Sequence, residues 1–199
     1  MTRAIRTLTV LGLLLVLTGC GGSDAEWNAK NIRGLMPELE FRLTASDGEP
    51  FTAEDRAGQV RLLFFGFTNC PDICPATMAR LRNAIKQMPE GMQDEVTLLF
   101  VSVDPKRDTP ETIGEYVNFF GDNIVGLTSN EATLRELAKR YRTTFGYGKP
   151  DEEGNYDVSH SSAVYVFDGQ GQARLLIRSD QSIPEISADL ETLVRQRRG

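Results

Sequence analysis

Two stretches of the chain are apolar almost without interruption, VRLLFFGFT at 60–68 and VTLLFVSVD at 96–104. Runs of this length, rich in β-prone residues, predict strands covered on both faces, because a half-exposed strand would alternate with polar residues. Between them Met78, Leu81, Ile85 and Met88 recur at three- and four-residue intervals, which predicts an amphipathic helix after the first strand. After the second, DTPETIGEYVNFF opens another helix, with Thr109 as N-cap and Pro110 at the first helical position. A short strand at IVGLT follows, then a helix over 131–141 with Leu134, Leu137 and Tyr141 on one face. SSAVYVFD (161–168) and ARLLIRS (173–179) flank a Gly169–Gly171 turn and predict an antiparallel hairpin. Pro184 starts a closing helix that buries Ile186, Leu190 and Leu193. Upstream, the Asp47-Gly48 dipeptide in FRLTASDGEPFTAED lies between short alternating runs, a further hairpin.

Strand–helix–strand–helix, then a hairpin and a last helix, is the order of an α/β, thioredoxin-like three-layer sandwich. The central mixed sheet has an N-terminal β-hairpin, and a second hairpin is inserted before the last helix. The order of the strands does not follow from this pattern.

The first residues belong to a different regime. MTRAIRTLTVLGLLLVLTGC carries Arg3 and Arg6, then an apolar stretch from Leu8 to Leu17, then small residues before Cys20. The stretch is shorter than the roughly 20 residues a spanning helix needs, so it reads as the core of a secretory signal over residues 1–19. LTGC resembles the bacterial lipobox, which implies cleavage before Cys20 and lipid on its sulfur, holding the exported protein at a membrane surface facing the periplasm or exterior. Residues 20–37, opening GGSDAE after the cysteine, show no clear periodicity and are expected to be a tether, with the folded domain at 38–199.

Charge and cysteine count then narrow the chemistry. The net charge is −6, and loss of Arg3 and Arg6 makes it two units more negative, which argues against nucleic acid as a partner. Of three cysteines, lipidation would use Cys20 and leave one pair, Cys70 and Cys74, in an oxidising compartment.

That pair sits in FTNCPDICP (67–75), just past the C-terminal end of the first buried strand, where open α/β sheets place their chemistry. The spacing is wider than that of the common two-residue redox motif, and a proline follows each cysteine. Pro75 is expected to hold Cys74 outside the helix, at its entrance, where free N–H groups would favour the thiolate, with Asp72 opposing. A purely stabilising disulfide would close a very short loop and remove little unfolded-state entropy. His160, the one histidine, immediately precedes a predicted core strand, where thioredoxins place a cis-proline beside the active-site loop. Two thiolates and an imidazole make a soft set suited to Cu(I), and zinc also accepts such ligands. Copper is favoured by the extracytoplasmic location and by thiols that can also cycle to a disulfide.

GFTNCPDICP, VSVDPKRDTP and DVSHSSAVYVFD together resemble the three signature blocks of the SCO/SenC family, and with the first hairpin the likeness runs over roughly residues 38–195. The resemblance implies a membrane-tethered, thioredoxin-like copper metallochaperone that helps assemble the dinuclear copper centre of cytochrome c oxidase. It implies Cys70, Cys74 and His160 as ligands of one copper per chain, as Cu(I) and/or Cu(II). The partner would be the apo copper subunit of a haem-copper oxidase or another copper carrier. Asp104 either caps a turn before Pro105 or stands near the site as a supporting residue. The other reading is an extracytoplasmic thiol–disulfide oxidoreductase that keeps a partner's copper-ligand cysteines reduced. It uses Cys70 and Cys74 as a redox pair and does not need His160. A peroxiredoxin is disfavoured: its motif puts Thr three residues before the cysteine, whereas Thr68 is two before Cys70.

Overall fold

The computed structural model describes residues 26–198, so the expected signal segment and Cys20 lie outside the described residues. At the centre are β4 (Val60–Gly66) and β5 (Val96–Ser102), paired in parallel and buried at every position. Burial on both faces is what their unbroken apolar runs require. Leu62, Phe64, Leu98 and Phe100 face one core, whereas Leu63, Phe65, Leu99 and Val101 face the other. On the first face lie α1 (Ile73–Gln87), α2 (Pro110–Asn118) and α4 (Ile183–Arg198). On the second lies α3 (Glu131–Arg140), with Tyr141 buried at its end. The three-layer α/β sandwich is therefore as expected.

The strand order, illegible in the sequence, is β1-β10-β9-β4-β5-β6-β2-β3. Here β6 is Ile124–Thr128, β9 Val164–Phe167 and β10 Ala173–Ile177, the last two forming the hairpin antiparallel to β4. The N-terminal hairpin, β2 (Arg42–Ala45) and β3 (Pro50–Thr52), joins the far edge through β6 and turns at Gly48, whose φ of 86° suits a residue without Cβ.

Two expectations are corrected. Much of the segment expected to be tether is docked: β1 (Lys30–Asn31) pairs with β10, Ala29 and Ile32 are buried, and Asp189 accepts the Asn28 and Ala29 amides. An edge strand this short leaves no periodicity to read. Pro75 also does not exclude Cys74 from the helix, which begins at Ile73. The N–H that proline lacks is one of the first-turn donors with no intrahelical partner, so its ring fits two positions further in, as the third helical residue.

A second sheet was not foreseen. It pairs β7 (Phe145–Tyr147) with β8 (Val158–His160), placing Phe145 opposite His160. Strands of three residues with partly exposed faces carry no apolar run. Among the described residues, no helix is long and apolar enough to cross a membrane.

Candidate metal centre

The cysteine loop leaves β4 at Gly66 and turns straight into α1. A Cβ on Gly66 would lie 2.7 Å from the Phe100 ring and 3.0 Å from Cys74 Sγ, so the missing side chain is what lets the sulfur seat against the strand. Cys74 is fully buried, whereas Cys70 is partly exposed and accepts the Cys74 amide on its sulfur at 3.4 Å. Both are free thiols.

Asp108, to which the sequence reading assigned nothing, anchors the start of this loop. Its buried carboxylate accepts the Thr68 amide at 2.8 Å, the Thr68 hydroxyl at 2.6 Å and the Ser102 hydroxyl at 2.5 Å. It thereby joins the chain entering the cysteines to the end of β5.

His160 arrives from the β7–β8 ribbon. Its Nδ1 lies 3.0 Å from the Ser161 carbonyl, and a carbonyl only accepts, so Nδ1 carries the proton and Nε2 has a free lone pair. That Nε2 stands 3.2 Å from Cys74 Sγ. The ring is held edge-on to Phe64 and Phe67, at centroid distances of 6.0 and 5.6 Å. One sulfur from each cysteine and one imidazole nitrogen thus lie within 4.8 Å of one another, and among the described residues this is the one group of three such ligands. The long-range approach of His160 to Cys74, across 86 residues, is what the sequence reading anticipated.

The electrostatics differ from expectation at one point. Burial pushes the Cys74 thiol up, well beyond the ordinary thiol range, and overrides the favourable helix N-terminus. Burial also lowers His160. Both shifts favour the uncharged forms, so without metal the pair is a thiol donating to a neutral imidazole, not a thiolate–imidazolium pair. A metal taking the sulfur must displace that proton.

Asp104 is fully buried but is not one of the clustered ligands. One carboxylate oxygen accepts Arg107 Nε at 2.5 Å and the other accepts the Tyr156 hydroxyl at 2.6 Å. Burial, then the hydrogen bond to Asp104, pushes that hydroxyl up to about 12, so it remains a donor at neutral pH. Arg107, Tyr156, Cys70 and His160 line one open cleft of about 410 Å³, and Ile73, 51% exposed, stands at its rim. Arg107 and Asp108 lie within the quoted VSVDPKRDTP block. Two charged residues beside a predicted site were a signal available in the sequence.

A family profile described as SCO1/SenC matches residues 34–195. The chain belongs to the SCO1/SenC family. The human mitochondrial SCO1 homolog is 34% identical over 156 residues, which cover 78% of this chain and 52% of the human protein. The chain therefore spans about half the length of that relative. A putative copper-binding protein of Stutzerimonas stutzeri is 35% identical over 144 residues, covering 72% of this chain and 69% of its own. Among solved structures, the copper-bound ScoI of Arabidopsis thaliana superimposes with a TM-score of 0.73 at 30% identity, covering 80% of this chain and 98% of that one. Its likeness extends the thioredoxin-like SCO fold to this chain.

Proposed function

We propose that this protein is a copper metallochaperone in which Cys70, Cys74 and His160 hold one copper ion as cargo for transfer to another protein. The observation that carries the reading is the convergence of two sulfurs and one imidazole nitrogen within 4.8 Å, with Cys70 and His160 lining an open cleft and Cys74 buried. Two soft sulfur donors and a borderline nitrogen suit Cu(I). The open side of the cleft leaves room for an acceptor's ligand to approach, as transfer by ligand exchange requires. Copper-bound and copper-binding relatives support the choice of metal.

The family resemblance supports the dinuclear copper centre of cytochrome c oxidase as destination, through the apo copper subunit or an intermediate copper carrier. The LTGC sequence supports a lipid on Cys20 that anchors the domain at the outer face of a membrane. One observation favours thiol–disulfide exchange as a second activity: a partly exposed Cys70 beside a buried Cys74 is the usual division between an attacking and a resolving thiol.

His160→Ala separates the two readings. As a chaperone, the reduced domain binds one copper per chain, loses affinity in this variant and fails to support oxidase maturation. As an oxidoreductase it keeps its exchange rate with a small disulfide and its cellular function. Oxidation of Cys70 and Cys74 to a disulfide abolishes tight copper binding in the first case, because a disulfide sulfur is no thiolate ligand. Copper bound equally well after oxidation would place the metal elsewhere and sink the proposal.

A further inference from the structure

The geometry points to Arg107 as the residue that holds His160 in its ligand position, a positioning role exerted through Tyr156 and Phe67. This rests on the reading of Cys70, Cys74 and His160 as copper ligands.

The three ligands are supported unequally. The two cysteines are built into the junction of a central strand and a long helix. His160 ends a three-residue strand whose ladder partner, β7, is equally short and lies outside the main sheet. A two-stranded ribbon of this size has little stability of its own. Its position must come from ties to the body of the domain.

Several of those ties converge on residues 103–107, the turn after β5. Tyr147 on β7 donates its hydroxyl to the Val103 carbonyl at 2.6 Å. Tyr156, two residues before β8, donates its own to Asp104. Of the residues in that turn, Arg107 makes the most extensive connection. Its Nη1 donates to the Tyr156 carbonyl at 3.0 Å, and its guanidinium lies 4.0 Å from the centroid of the Tyr156 ring. The same guanidinium is 5.9 Å from the Phe67 ring, whose relation to His160 is edge-to-face.

Arg107 thus acts on His160 twice, on the backbone that delivers it and on the aromatic wall that orients its ring. Asp104 sets the guanidinium through Nε and spends its other oxygen on Tyr156, which accounts for a buried carboxylate that touches no ligand sulfur or nitrogen. A planar fork that donates in two directions and stacks on a ring at once is a property of arginine that lysine does not share. Residues that orient metal ligands without touching the metal commonly govern affinity by roughly 10–100-fold.

The test compares Arg107→Gln, Arg107→Lys and His160→Ala with the parent domain. Arg107→Gln is expected to weaken Cu(I) binding, measured against a competing chelator, by roughly 10–100-fold. It should also move the sulfur-to-Cu(II) charge-transfer band toward that of His160→Ala. Arg107→Lys should fall between Gln and parent. In the metal-free protein, the amides of residues 158–160 should exchange faster in Arg107→Gln, while exchange of Cys70 and Cys74 with oxidised glutathione is unchanged.

If Arg107 works through His160, then adding Arg107→Gln to His160→Ala costs no further affinity, because the two losses are one loss. Additive losses in the double variant overturn the inference, as does an Arg107→Gln protein with parental affinity and band. Equal collapse of copper binding and thiol exchange would mean general loosening of the site, and that also overturns it. Should His160→Ala leave copper binding intact, the ligand assignment fails instead, and the amide exchange of 158–160 still decides whether Arg107 positions the ribbon.

Discussion

The arm that carries the cysteines and the arm that carries the histidine solve the same problem of placing a side chain by opposite means. The cysteine arm runs from a strand buried at every position into a fifteen-residue helix and is locked by Gly66, Asp108 and the core around Met78 and Leu81. The histidine arm is a ribbon of two three-residue strands, with both hydroxyl ties of Tyr147 and Tyr156 going to the turn after β5. In the first arm position follows from the fold's own core, and few substitutions can move Cys74 without unfolding something. In the second it depends on the packing of Phe145 and on a handful of polar contacts, so the hold on the third ligand can change while the domain and its thiols stay intact. One part of the candidate site is thus fixed by the core and the other is held separately.

Substitutions can sharpen or break this contrast. The largest stability loss is expected at Asp108. Asp108→Ala strands the buried Ser102 hydroxyl and the half-buried Thr68 amide and hydroxyl, and each buried donor left unsatisfied costs about 1–3 kcal/mol. Urea unfolding should show a destabilisation of that order, with copper affinity falling as well. A neutral result would mean that the cysteine arm is not anchored through this carboxylate.

Gly66→Ala comes next. A methyl group 2.7 Å from Phe100 and 3.0 Å from Cys74 Sγ must displace one of them, at a cost of about 1–3 kcal/mol. The lowered unfolding midpoint should be accompanied by faster alkylation of Cys74, since the methyl also crowds its sulfur. In the parent protein, access alone predicts that iodoacetamide labels Cys70 before Cys74, because Cys74 is fully buried. Peptide mapping after partial modification reads this directly, and equal labelling would show that the cysteine arm opens readily.

The smallest effect is one of pH, and it concerns the histidine arm. Tyr147 and Tyr156 both have hydroxyls pushed up to about 12, chiefly by burial. A raised folded-state pKa contributes stability that is complete below the unfolded value of about 10 and is lost as pH rises through the folded value. The ribbon should therefore loosen between about pH 10 and 12, visible as faster amide exchange in β8 relative to β4. At the acid end the sign reverses. His160 is lowered by burial, so its share of stability is complete above about pH 6.5 and declines as the pH falls below it. Parallel loosening of both arms at either extreme would count against treating them as separate.

What was legible in the chain was whatever its local chemistry enforces. Unbroken apolar runs can only be doubly covered strands, so β4 and β5, and with them the three layers, could be read from residues 60–68 and 96–104. Thr109 and Pro110 mark a helix start through their own backbone demands, and the structure has them as N-cap and first helical residue. The two thiols with a constrained spacing, and an unusual lone histidine before a core strand, already drew attention to Cys70, Cys74 and His160.

Tertiary structure decided what depends on partners distant along the chain. The pairing of β1 with β10, the register that sets His160 opposite Phe145 and the convergence of Arg107, Tyr156 and Asp104 all join residues whose local sequences carry no mark of one another. The protonation state of Cys74 belongs with these. Its place at a helix N-terminus favours the thiolate, yet burial by the surrounding core favours the thiol more strongly. Helix position is local and visible in a sequence, whereas desolvation is the sum of everything that folds over a group.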